Sequence, residues 1–204
     1  MSATTPPGHS NPLAPWPAYR FAFWAFLLNE AFLFGSILAS GIFLRIGGTV
    51  PWPRPGDAVA LGPVLVATLI LMASSATFNE SLDALRRDND VFAKRWLGWT
   101  FIAGSAFLGI QVYEWWDLGR AATELSGHST SILVANPWGA ATYMQVFLLA
   151  TGLHGLHLLA GLVLIAWLLG TSWFHDGRRL EIAALYWHFV DFVWIFILST
   201  LYFL

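Results

Sequence analysis

The 204-residue chain contains no cysteine, which excludes disulfides, thiolate metal sites and thiol catalysis. Charge is also scarce. Asp, Glu, Lys and Arg make up 11% of the residues, against roughly 25% in soluble globular domains. With a formal net charge of −2 and scattered basic residues, there is no concentrated basic face of the kind a nucleic-acid partner requires. Residues Met1–Pro17 carry no Lys or Arg and no short apolar core, so they lack the pattern of a secretory signal. They are rich in Pro, Ser and Thr and are expected to form a flexible tail. No internal repeat stands out, which disfavours an inverted-repeat transporter. What remains is apolar: 57% hydrophobic and 16% aromatic residues. These proportions predict an all-α, polytopic membrane protein, with one transmembrane domain over residues 18–204.

Five apolar segments are long enough to span roughly 30 Å of hydrocarbon. They lie near Phe21–Arg45, Ala58–Leu82, Leu97–Leu118, Ala140–Gly170 and Glu181–Leu204. Breaker signals separate them: Gly47-Gly48 with Pro51, Pro53 and Pro55, then Asp88-Asn89-Asp90, Asn136-Pro137 and Asp176-Gly177. Arg20, Arg86, Arg87, Lys94, Arg95, Arg178 and Arg179 fall on one side, and Arg45, Arg54 and Arg120 on the other, seven against three. The positive-inside bias then places the N-terminus in the cytoplasm and the C-terminus outside, in a bacterial inner membrane or an equivalent bilayer. Trp16, Trp52, Trp96, Trp99, Trp115, Trp116, Trp138 and Trp173 lie near segment ends, where amphipathic rings favour the interface. Small residues such as Gly35, Gly41, Ser74, Ser75, Gly152, Gly155 and Gly161 permit close helix packing.

The polar residues inside these segments are few and paired. His188 and Asp191 sit three apart within Tyr186–Trp194, so a helix projects them from one face roughly 60° apart. Gln111 with Glu114 and His154 with His157 repeat that spacing, and Asn29 adjoins Glu30. Such groups are costly at bilayer depth, so they are expected to face a protein interior and find partners. The histidines could converge on a metal, but hydrogen bonds to a carboxylate or carbonyl of a neighbouring helix are the preferred reading. Desolvation disfavours the charged form of Glu30, which makes it a candidate proton carrier or reactive carboxyl. A modulatory or lipid-contacting role is the preferred reading, because no chain of acids crosses the bilayer with it. Glu114, near a helix end, has the option of snorkelling to the interface. Glu80 and Asp83, beside Arg86 and Arg87, read as a solvated helix end with ordinary ion pairs.

Four motifs, in order along the chain, carry a resemblance. They are Asn29-Glu30-Ala31-Phe32-Leu33-Phe34-Gly35; Gln111-Val112-Tyr113-Glu114-Trp115; Ala150-Thr151-Gly152-Leu153-His154-Gly155-Leu156-His157; and Tyr186-Trp187-His188-Phe189-Val190-Asp191-Phe192-Val193-Trp194. The chain resembles subunit III of the haem-copper oxidases, in its short five-helix bacterial form. The long form has two further helices before the one that matches Glu30, and a lipid-filled cleft beside them.

The resemblance implies a bundle packed on the catalytic subunit I, in a hetero-oligomer that also contains subunit II. Haem and copper would reside in those partners, phospholipid would be bound, and this chain would hold no cofactor. Glu30 matches the carbodiimide-reactive carboxylate discussed in connection with proton uptake, oxygen access and stability during turnover. Asn29, Gln111, Glu114, His154, His157, His188 and Asp191 would form the interhelical polar network. The residues agree that no redox centre is held: of six histidines, His9, His128 and His175 lie outside the spans, and no cysteine is available for a dinuclear copper site.

The expectation is an accessory, non-redox subunit of a proton-pumping terminal oxidase that reduces dioxygen to water. The third-helix motif leans towards the cytochrome c branch over the quinol branch. A subunit-III-like protein attached to a nitric oxide reductase would share the motifs. A self-standing transporter would instead need broken helices at mid-membrane, whereas Pro63 and Pro137 sit near helix starts.

Overall fold

The computed structural model of the chain describes residues 18–47, 61–126, 141–171 and 177–203. The predicted tail, His9, His128 and His175, the Gly48–Pro55 and Asn136-Pro137 breakers and four of the tryptophans (Trp16, Trp52, Trp138, Trp173) lie outside them. Five helices are described: α1 (Ala18–Gly47), α2 (Leu61–Arg86), α3 (Asp90–Ser126), α4 (Ala141–Gly170) and α5 (Gly177–Leu198), the last running into a π-helical turn, Ser199–Phe203. Among the described residues there is no strand.

Four helices are long and apolar enough to cross a membrane: α1, α2, α4 and α5 with its π-helical turn. The third, expected as a span over Leu97–Leu118, does not reach that apolarity despite its 37 residues. It is diluted by Gly98, Thr100, Gly104, Ser105 and Gly109, and its C-terminal part carries Gln111, Glu114 and Asp117.

The tightest connection joins α2 to α3. Asp88 takes a left-handed φ of 55°, while Asn89 N–H reaches back to the Ala84 carbonyl and Asp88 N–H to that of Leu85, both at 3.0 Å. This six-to-one and five-to-two pairing closes α2 as a Schellman turn. Asn89 then starts α3 by accepting from Phe92 N–H at 3.3 Å. Two helices joined so closely must lie antiparallel, and α2 with α3 is the most extensive pairing in the bundle. Hydroxyls line that seam: Ser81 donates to the Ala93 carbonyl, and Thr77 and Thr100 meet at 2.8 Å.

Around this hairpin α4 packs on α3, α5 packs on α2 and α4, and α1 lies outermost against α4 and α5. The core holds Trp187, Trp194, Phe78, Phe107 and Phe147, all fully buried. Trp187 needs two glycines. A Cβ on Gly104 would sit 2.5 Å from its Cη2, and one on Gly161 would sit 3.0 Å from its Cε3. The small residues of α3 and α4 therefore cup an aromatic ring from α5, while Gly41 of α1 meets Val146 of α4, a close approach between helices. Trp115, expected at the interface, points inward: its Nε1 donates to Thr151 Oγ1 at 3.1 Å and its ring covers Gly155. Trp99 and Trp116 stay exposed.

Candidate functional site

The polar groups of the bundle gather at three seams. Between α1 and α4, Glu30 Oε2 lies 3.1 Å from His157 Nε2. The two side chains are only 13% and 15% exposed. His157 Nδ1 lies 2.8 Å from the carbonyl of Leu153, one turn earlier. A carbonyl only accepts, so Nδ1 carries a hydrogen. The contact to Glu30 then needs one further proton, held either on Nε2 or on the carboxyl group. Either way the pair is neutral as a unit. Phe34 packs edge-on against the imidazole, and Tyr186 of α5 donates to the His157 carbonyl at 3.0 Å.

Between α2 and α5, His188 Nε2 lies 3.0 Å from Asn79 Oδ1 and Nδ1 lies 2.9 Å from Ser75 Oγ. Ser75 also bonds Asp191 Oδ2. Asp191 is 2% exposed, and its second oxygen has no hydrogen-bond partner among the described residues. Beside this chain, Trp187 Nε1 donates to Ser74 Oγ and Trp194 Nε1 to Thr68 Oγ1, each at 2.9 Å. A column of hydroxyls on α2 thus receives the polar edges of α5.

At the other end of the bundle, Gln111 Nε2 donates to Glu114 Oε2 at 3.1 Å and Tyr202 of the π-helical turn donates to the same oxygen at 3.3 Å. Glu114 is buried there and does not snorkel. Tyr143 of α4 bonds the Leu201 carbonyl. His154 stands apart. It is fully buried between Phe107 and Trp194, and neither ring nitrogen has a hydrogen-bond partner among the described residues. Asn29 lies on the exposed face of α1.

Haem or copper does not fit these residues. The nitrogens of His157 and His188 are engaged in hydrogen bonds, and the ring of His154 is walled in by aromatics. Ser75, Asn79, Thr151 and Tyr202 were not singled out as polar partners from the sequence. A signal existed for two of them, since Ser75 and Asn79 are four apart and share a helical face, as His188 and Asp191 do at three apart.

At the cytoplasmic end expected from charge, Arg86 pairs with Asp83 at 3.3 Å and with Glu181 at 3.4 Å, and Arg20 reaches Glu181 at 3.7 Å. All are well exposed, as a solvated helix end requires.

An all-helical bundle with four apolar helices of spanning length and an apolar exterior among the described residues defines an integral membrane protein. Residues 8–204 match the family described as Cytochrome c oxidase subunit III. Among individual relatives, cytochrome c oxidase subunit 3 of Alkalihalophilus pseudofirmus is 31% identical over 88% of this chain and 84% of its own length. The corresponding protein of Thermostichus vulcanus is 33% identical, over 88% and 84%. Cytochrome bo(3) ubiquinol oxidase subunit 3 of Pseudomonas aeruginosa is 32% identical, over 89% and 83%. The chain belongs to the cytochrome c oxidase subunit III family.

Proposed function

We propose that this chain is an accessory subunit of a proton-pumping terminal oxidase, holding no redox centre and packing on the metal-bearing catalytic subunit I alongside subunit II. The observation that carries this reading is the family match across nearly the whole chain. Relatives named for cytochrome c and for quinol oxidases stand at similar identity, so the donor is a property of the partners. Cytochrome c is the reading favoured by Gln111-Val112-Tyr113-Glu114-Trp115.

In this proposal α3 is the fifth membrane span, with Glu114 bonded to Tyr202 of the π-helical turn and Thr100 to Thr77 of α2, and the N-terminus lies on the cytoplasmic side of a bacterial inner membrane. Glu30 with His157 supports proton delivery or integrity of the catalytic subunit, while Gln111, Glu114, His188 and Asp191 tie the helices in register. Phospholipid occupies the groove between α1 and α5, about 650 Å³ and walled by Trp24, Leu28, Phe34, Phe189 and Phe192. Leu185 joins this groove to a smaller pocket lined by Arg20, Arg178 and Glu181.

The test is to purify the chain from its native membrane in mild detergent, with a reduced-minus-oxidised spectrum and metal analysis of what accompanies it. Co-purified haem and copper are expected. A colourless, solitary chain would overturn the proposal.

A further inference from the structure

The side chains joining α2 to α5 have a hydrogen count that a merely structural contact does not need. Asn79 Oδ1 accepts, so the facing His188 Nε2 carries a hydrogen. Ser75 has one hydroxyl hydrogen and two neighbours, His188 Nδ1 and Asp191 Oδ2. Two arrangements satisfy every contact. In the first, Asp191 is a carboxylic acid that donates to Ser75 Oγ, and Ser75 donates to the bare Nδ1. In the second, the imidazolium donates from Nδ1 to Ser75, and Ser75 donates to the carboxylate. Each arrangement holds three hydrogens along the chain. They interconvert when the Asp191 proton moves to Ser75 Oγ while the Ser75 proton moves to Nδ1, so two O–H bonds break, one O–H and one N–H form, and the net charge stays zero.

We infer that Asn79, His188, Ser75 and Asp191 form a proton-storing relay, with the proton resting on Asp191 and passing to His188 through the Ser75 hydroxyl. The surroundings favour that resting state. Asp191 is almost fully buried and its Oδ1 finds no donor among the described residues, while Phe78 flanks His188 at 6.4 Å between ring centroids. Separated charges placed there would be poorly solvated.

The relay has an open end and a closed one. Asn79 is exposed on α2, seven residues or about 10 Å before Arg86 at the helix end, and His188 borders the α1/α5 groove, whereas Asp191 is sealed in the core. Trp187 and Trp194, anchored on Ser74 and Thr68, hold the α5 residues on either side of His188 and Asp191. The Glu30–His157 pair is a separate unit on α1 and α4. The inference extends the proposed accessory role without depending on the identity of the electron donor.

Infrared spectroscopy of the purified complex, with and without carbon-13 on aspartate, tests the relay on this chain's own groups. A carboxylic acid C=O band that moves with the label is expected at neutral pH. It should be lost in Asp191→Asn, shifted in Ser75→Ala and returned to its wild-type position in Ser75→Thr, which restores the hydroxyl. If Asp191→Asn fails to assemble, the two serine variants decide. No aspartic acid band in the wild type, or a band that Ser75→Ala leaves in place, overturns the relay whether or not haem and copper accompany the chain.

Discussion

The two seams that each join a histidine to a carboxylate are built differently. On α1, Leu27, Phe34, Leu38 and Gly41 are buried, while Phe21 is 70% and Ile46 82% exposed. The Glu30–His157 contact is its polar contact with α4. On α5, ten of 22 residues are buried, and the His188–Ser75–Asp191 chain is framed by two anchored tryptophans. A hydrogen bond contributes only about 0.5–1.5 kcal/mol net. The Glu30 contact is one polar contact on a lightly packed helix, whereas the α5 polar chain lies among packed rings, where a buried group left without its partner costs more, about 1–3 kcal/mol. Removing comparable groups should have unequal consequences.

Trp187→Ala should be the most severe change. It empties the cup formed by Gly104 and Gly161 and strips Ser74 of its donor, so a loss of about 3–5 kcal/mol is expected, measured as lower thermal stability and yield of the assembled complex. His188→Ala comes next. It leaves Ser75 and Asp191 short of a partner inside the bundle, at a cost of about 1–3 kcal/mol. Normal assembly yield would show that the polar chain does not hold this seam.

Glu30→Gln should leave α1 docked and the initial turnover rate close to wild type, because the amide can still meet His157, while activity falls faster over many turnovers. Glu30→Ala should add a loss of about 0.5–1.5 kcal/mol in α1 attachment. Time courses of oxygen consumption check both, and an unchanged inactivation rate in the two variants would remove Glu30 from any role in sustaining turnover. The smallest effect belongs to Arg86→Ala. Its partners Asp83 and Glu181 are about half exposed, and solvent screening keeps such pairs to at most about 1 kcal/mol. Thermal unfolding should barely move.

Much of the architecture was legible in the residues. Long apolar runs and their breakers located the helices to within a few residues where the chain is described, except that α3 begins seven residues before Leu97 and continues to Ser126. Its flanks are charged, and an apolarity criterion sees where lipid is tolerated, not where a helix stops. The motif residues were also visible, but their pairings were not. Glu30 and His157 are 127 positions apart, and Ser75, read as a small packing residue, proves to be the bridge between His188 and Asp191.

By itself, the sequence determined that this chain is a helical membrane protein with its costly polar groups at helical spacing, because hydropathy and periodicity are local properties, and its four motifs carried the resemblance to subunit III. Tertiary structure alone decided which polar groups meet, that Trp115 turns inward while Trp116 stays outside, and that His154 is left between two aromatic rings. Those outcomes depend on the rotation and depth of one helix against another. That geometry is set by glycine cups and ring packing between residues far apart in the chain, which no local pattern encodes.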